Sequence, residues 1–281
     1  MMTEFIWTLP DFIKTLTPED KVFYTNGCSM VFGAELGGKD GTTWVDDKSF
    51  SYNDYRINNA FPGIFRSSLF PNHRYFNAAK GGSANDRIMR TTIDDVLTLI
   101  DFGIKPENIF VLIGWTHGMR FEIYERINKN YYSVVPGAKW LKSELANKMA
   151  EIQMMELYDT VSLARKINQQ ILSLQSILKQ YKINYLFSNS LDIYPDFAEG
   201  FSHTPAKSLV TFGHIDLDKY AGTDMMGERS EFAISFNAHS RRHNVQFGSG
   251  DHPLEDGHKL WAHSLIEFYT KRCQNKETNH T

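Results

Sequence analysis

Cysteine is nearly absent from this chain of 281 residues, which has two, Cys28 and Cys273. Two cysteines build no disulfide framework, and synthesis in a reducing cytosol is the simpler reading. Long apolar runs are missing as well: no window approaches the roughly 18 uncharged apolar residues of a membrane span. The N-terminus, MMTEFIWTLPDFIKTLTPED, has early acids and Pro10 but no basic start and no apolar centre, so it does not read as a signal peptide. Positive charge is not in excess either. Thirty Lys and Arg stand against 33 Asp and Glu, a net charge of -3, which leaves no basic field to hold a nucleic-acid backbone. The one short basic cluster, HSRRH at 239–243, falls in a stretch that reads as loop. Phosphate-loop and dinucleotide fingerprints, which would imply a cofactor, are absent. No repeat, linker or low-complexity tract divides the chain, so one domain over 1–281 is expected, with a polar tail at 274–281. No feature specifies an oligomer.

What the chain does have is aromatic and aliphatic residues, 14% and 42% by the aromatic and total hydrophobic counts, enough for a sizeable core. KVFYTN (21–26), YFNAA (75–79), NIFVLIGW (108–115) and INYLFSNSL (183–191) are compact apolar runs that read as strands. Between them lie helical patterns. FPGIFRSSLF (61–70) has Pro62 in its first turn, and 83–103 repeats Ile88, Thr92, Val96 and Ile100 before Gly103. The stretch 139–181 carries the stripe Leu163, Ile167, Ile171, Leu174 and Leu178, and 253–273 reads as a closing helix. A short helix broken at Pro10 is expected at 3–16, while 34–57 and 192–250 read as irregular insertions. Alternation of this kind predicts an α/β fold: a flavodoxin-like three-layer α/β/α sandwich on a central parallel sheet, with ligands at the carboxyl ends of its strands.

Each strand end carries small, polar or titratable groups. Gly27-Cys28-Ser29 follows the first strand, NAAKGGSAND (77–86) the second and GWTHGMR (114–120) the third, while GSGDHPLEDGHKLWA (248–262) lies near the C-terminus. Acyl transfer uses such a set: a hydroxyl nucleophile, an imidazole base and donors for an oxyanion. In this order the four segments resemble the SGNH (GDSL-like) hydrolase superfamily over about residues 21–270, and their variants look most like a subgroup common in bacteriophage genomes. The resemblance implies a serine esterase that needs no metal or other cofactor, acting on a small-molecule or carbohydrate ester, O-acetyl groups by preference. It implies neither a nucleic-acid nor a membrane partner. A phage origin would place the protein in a host cytoplasm or a virion.

Carried onto this sequence, the resemblance makes Ser29 the nucleophile and His252, in His252-Pro253 before Gly257, the general base. The backbone N–H groups of Ser29 and Gly82 would form the oxyanion hole. Two positions depart from the pattern. Thr116 stands where an oxyanion asparagine is usual, so either its hydroxyl donates or another group does, Arg120 being a candidate. Arg120 could instead bind a substrate carboxylate or pair with Glu122. Ser249 stands where the orienting aspartate belongs, which leaves Asp251, a Ser29–His252 dyad, or a carboxylate from elsewhere. Asn85 and Trp115 are possible substrate contacts, with Asn85 and Ser83 also N-cap candidates for the next helix. Cys28 reads as a small buried residue, His117 as an exposed loop histidine and His258 as a packing or capping group. A metal site from Asp251, His252 and His258 lacks ligand spacing of a known kind. A non-catalytic glycan-binding protein and an acyltransferase are the alternatives on the same fold.

Overall fold

The computed structural model describes residues 8–37, 54–127, 129–137, 143–155, 159–193, 209–222 and 234–274. Four parallel strands, β1 (Val22–Gly27), β2 (Arg74–Asn77), β3 (Ile109–Trp115) and β6 (Asn184–Asn189), form the central sheet in the order β2-β1-β3-β6. A separate antiparallel hairpin joins β4 (Phe121–Glu125) to β5 (Asn130–Val134). The helices are α1 (Leu9–Ile13), α2 (Ser29–Phe32), α3 (Asp54–Asn59), α4 (Phe61–Leu69), α5 (Asn85–Phe102), α6 (Glu144–Met155), α7 (Thr160–Gln180), α8 (Phe236–Arg242) and α9 (Glu255–Tyr269).

Side chains alternate across a strand, so each strand feeds two cores. Val22 and Tyr24 of β1, with Ile109, Val111, Ile113 and Trp115 of β3, pack under α1, α5 and α7. Phe23, Phe110, Leu112 and Leu186 point the other way, against α2, α4 and α9. Both faces are covered, which is why the strands read as unbroken apolar runs rather than alternating ones. The result is the expected three-layer α/β/α sandwich, with the stripe from Leu163 to Leu178 buried in the first core.

Most expected elements appear within a few residues of their sequence bounds. Pro10 does not break α1 but sits in its first turn, where a missing N–H costs nothing, and Thr8 caps the helix. Gly103 ends α5 in the left-handed conformation at φ 113. Three readings need correction. The hairpin at 121–134 has a weak sequence signal: its strands FEIYE and NYYSV are five residues each and neither alternates cleanly between apolar and polar. HSRRH forms the end of helix α8, with His243 as its C-cap, and is not a loop. The cap before α5 is Ala84, without a side-chain bond, whereas the Ser83 hydroxyl donates to Lys80 O at 2.7 Å. Of the 34–57 insertion, Trp44 and Tyr52 lie outside the described residues, as do 194–208 and 223–233.

Candidate active site

The strand ends are brought together at one edge of the sheet. Gly27 of β1 lies in register with Gly114 of β3. A Cβ at either position would meet Val31 Cγ2, at 2.2 Å from Gly27 and 2.3 Å from Gly114, so both glycines let the short helix α2 sit on the strand ends. Ser29 is the first residue of α2. Cys28 holds the N-cap position without a side-chain bond, and its free thiol is buried in the second core. Ser29 is therefore not the N-cap of this helix. The serine is 7% exposed, and its carbonyl accepts from Gly33 and Ala34. Arg56 fixes the far end of α2, donating to Phe32 O at 2.6 Å with its guanidinium over the Phe32 ring.

Beyond α2 the chain turns tightly through Gly33 at φ 76, Glu35 at φ 69 and Gly37 at φ 72. Left-handed backbone is uncommon for a residue with a side chain and persists only where its surroundings enforce it. The enforcing contacts come from the C-terminal segment. Glu35 Oε2 lies 2.8 Å from His252 Nδ1 and accepts from His252 N at 3.3 Å. Its Oε1 accepts from Gly250 N at 2.8 Å and Ser249 Oγ at 3.2 Å. Both side chains are buried, at 1% and 6% exposure, so the pair is shielded from solvent. A Cβ at Gly248 would stand 2.6 Å from the Glu35 carboxyl carbon, which is why a glycine is needed there.

The electrostatics are consistent with a base and its orienting acid. Burial pushes the Glu35 carboxyl up, but bonds from Gly250 and His252 outweigh it and hold the group below its ordinary range. Burial likewise lowers His252; Glu35 and Asp251 oppose that and Arg120 adds to it, and the net direction is down. A neutral ring whose Nδ1–H is given to a carboxylate keeps its lone pair on Nε2, as a general base requires.

Glu35, not Asp251, is the carboxylate on the imidazole. Residues 246–254 form a tight turn in which Gly248 N donates to His252 O at 2.9 Å and Leu254 N to Gln246 O at 2.9 Å. Asp251 takes the left-handed place in that turn, at φ 64, and its side chain is 64% exposed and paired with Arg241 at 2.5 Å. Consecutive side chains on such a turn diverge: His252 faces inward and Asp251 outward. Ser249, at the position where the pattern has aspartate, donates to the carboxylate that has taken over the contact.

The remaining candidates divide. Gly82 is at φ 72 in the turn closed by Ser83 N to Lys80 O, and the chain into that turn runs beside β1, with Lys80 N donating to Gly27 O at 3.2 Å. Asn85 is not a substrate contact: it is buried, its Oδ1 accepts from Thr116 N at 2.9 Å and its Nδ2 donates to Thr116 O at 3.0 Å, so it clamps that peptide. Trp115 is fully buried in the first core, edge-on to Phe187. Thr116 is fully buried, and its Oγ1 has no hydrogen-bond partner among the described residues. Arg120 does not pair with Glu122, which forms a bidentate bridge to Arg90 at 2.8 and 2.9 Å.

His258 and His117 make contacts within the fold. His258 Nδ1 accepts from Phe61 N at 3.0 Å, supplying the first turn of α4 with a partner that Ala60 cannot give. Burial, with the nearby His252, pushes His258 down to about 3, so it stays neutral. His117 is half-buried rather than exposed, and Met119 N donates to its Nδ1 at 3.3 Å. Among the described residues no group of three or more His, Cys, Asp or Glu could hold a metal ion. No helix among them is long and apolar enough to cross a membrane.

Comparison with known proteins adds a family without a chemistry. The chain belongs to a family of unknown function, DUF6071, whose model matches residues 43–279. A search of the curated proteins finds no match. Among solved structures it is similar to a carbohydrate esterase whose active site is described as displaying divergent catalytic and non-catalytic binding functions. That match has a TM-score of 0.43 and 16% identity, and covers 92% of this chain and 68% of the other.

Proposed function

We propose that this protein is a serine esterase in which Ser29, His252 and Glu35 act together. The observation that carries the reading is the buried Glu35–His252 pair, anchored on the turn that Ser29 opens. A solvent-shielded carboxylate fixed by four hydrogen bonds, with ring Nδ1 as one donor, is more than a fold needs at a sheet edge. It is the arrangement that makes an imidazole a competent base.

In this reading the Ser29 Oγ–carbon bond forms as His252 Nε2 takes the hydroxyl proton, and the carbonyl π pair moves onto oxygen. The tetrahedral adduct collapses, the C=O bond re-forms, and the alcohol leaves with the proton from His252. Water repeats the sequence on the acyl-enzyme and releases the carboxylic acid. Glu35 stabilises the imidazolium formed in each half without itself taking the proton. The Ser29 and Gly82 N–H groups are the proposed backbone donors to the oxyanion. An O-acyl carbohydrate is the preferred substrate, on the strength of the motif resemblance. A substrate of that kind needs a stacking surface, and Tyr55, which donates to Glu255 at 3.0 Å, offers an exposed ring.

The test is hydrolysis of p-nitrophenyl acetate by wild type and Ser29→Ala. Loss of turnover in the variant supports the reading, and equal rates sink it. Faster acyl transfer to added sugar than to water would reassign the protein as an acyltransferase.

A further inference from the structure

The loop after β3 holds a charged side chain with one buried nitrogen left unpartnered among the described residues. Arg120 Nη1 is buried, and among the described residues no acceptor lies within hydrogen-bonding distance of it. Removing a cationic N–H from water without a partner is costly, and native proteins seldom leave one so. The loop around it is well fixed: Gly118 N donates to Ile193 O at 3.0 Å and Arg120 N to His117 O at 3.1 Å. A Cβ at Gly118 would lie 2.6 Å from Ile193 O, so the loop is pressed against the neighbouring segment. The acid that could have neutralised the side chain, Glu122, is committed to Arg90. Its charge is felt by the base: Arg120 disfavours the protonated form of His252, and of His117 beside it.

Thr116, the other side chain offered by this loop, is poorly placed to serve a ligand. Its peptide is clamped at both ends by Asn85 and its hydroxyl is enclosed, whereas Arg120 as a whole is only half-buried. We propose that Arg120 is the side-chain donor to the acyl oxygen: it takes the negative charge that develops there when the Ser29 Oγ–carbon bond forms. This rests on the serine-esterase reading and completes it. A fixed cation that opposes imidazolium formation in the resting site would slow proton transfer unless an anion formed beside it in the same step. The oxyanion is that anion. It appears as His252 gains its proton, and it is discharged when the C=O bond re-forms and the leaving alcohol takes the proton. A guanidinium presents several N–H groups in a rigid fork, so one can meet the oxygen without moving the loop.

The experiment compares wild type, Arg120→Met and Arg120→Lys on p-nitrophenyl acetate and on mono-p-nitrophenyl succinate, whose acyl group carries a carboxylate. The expected result for Arg120→Met is a kcat lower by about 100-fold on both esters with KM within about 3-fold, the loss typical of one oxyanion donor. Arg120→Lys should recover part of it; should the methionine variant not fold, the lysine variant at an unchanged melting temperature carries the comparison. Unchanged kcat on the acetate ester, with a raised KM confined to the succinate ester, would make Arg120 a binder of substrate charge and overturn the proposal. No change on either ester would also overturn it, leaving the guanidinium to water. Labelling of wild type by a fluorophosphonate separates the two levels. An active wild type that labels at Ser29, with an unaffected Arg120→Met, refutes the arginine's role alone. A wild type that neither hydrolyses nor labels refutes both.

Discussion

Replacing Glu35 by Gln removes one charge and little volume from beside the imidazole. The 2.8 Å contact to Nδ1 puts the two charge centres about 4 Å apart once His252 is protonated, worth about 4 kcal/mol at an effective dielectric near 20. Referred to the transition state, that is about a thousandfold in kcat. The amide adds a second fault. Its oxygen can accept from only part of the donor set of Gly250 N, Ser249 Oγ, His252 N and His252 Nδ1, and its NH2 must face another of them. If the NH2 turns to Nδ1, the ring takes the wrong tautomer and Nε2 no longer accepts a proton. The expected loss is therefore 10³- to 10⁴-fold in kcat on p-nitrophenyl acetate, of the size seen when a triad carboxylate becomes an amide. Asp251→Asn is the control. It breaks an exposed pair with Arg241, a contact worth little, so kcat should stay within about 2-fold. NMR titration of His252 gives a second readout: with the Glu35 contribution gone, its pKa falls further below the ordinary histidine value. A Glu35→Gln enzyme keeping more than a tenth of wild-type kcat, or an Asp251→Asn enzyme losing as much as it, would refute the assignment.

Three further outcomes follow from the same contacts. Gly248→Ala should cut kcat sharply while the fold persists, because its methyl would stand 2.6 Å from the Glu35 carboxylate and displace it from His252; an active Gly248→Ala enzyme with unmoved Glu35 contacts would contradict this. Asn85→Ala strips two bonds from the Thr116 peptide and should cost about 1–3 kcal/mol in urea unfolding; a change under 0.5 kcal/mol would refute the clamp. His258 links stability to acid. Its folded pKa, near 3, lies below the unfolded value, so its contribution is complete above about pH 6.5 and is lost at about 1.4 kcal/mol per unit as pH falls toward 3. His258→Asn keeps an acceptor for Phe61 N without a titrating ring, and its unfolding free energy should vary with pH less steeply by that amount between pH 6 and 4. Parallel curves for the two proteins would refute this role.

The layers were legible in the sequence because their causes are local. A strand buried on both faces reads as an apolar run, as in β3, and a helix on a sheet reads as a stripe, as in α7 from Leu163 to Leu178. His252 was also legible, through His-Pro and the glycines around it. Glu35 was not. Its contact with His252 spans 217 residues, and it lies at the start of an insertion read as irregular. The signal that could have found it is small but physical: a lone carboxylate inside the apolar run Met30–Leu36, flanked by Gly33 and Gly37. A charge in such a run is buried, and a buried charge needs a partner. Asp251 drew attention through adjacency to the histidine, and adjacency on a tight turn separates side chains instead of joining them. Asn85 and Trp115 both lie near strand ends, but successive side chains at a strand end face opposite ways, and both of these are buried. The direction of Trp115 follows from the phase of β3, which the sequence alone left ambiguous.

The central claim is that Ser29 is a nucleophile served by His252. Intact-mass and peptide analysis after treatment with a fluorophosphonate tests it most directly, without needing the natural substrate. The account predicts one adduct, on Ser29, formed at least a hundredfold more slowly when His252 is replaced by Ala and absent in Ser29→Ala. Labelling at another residue, or equal labelling rates with and without His252, would contradict it.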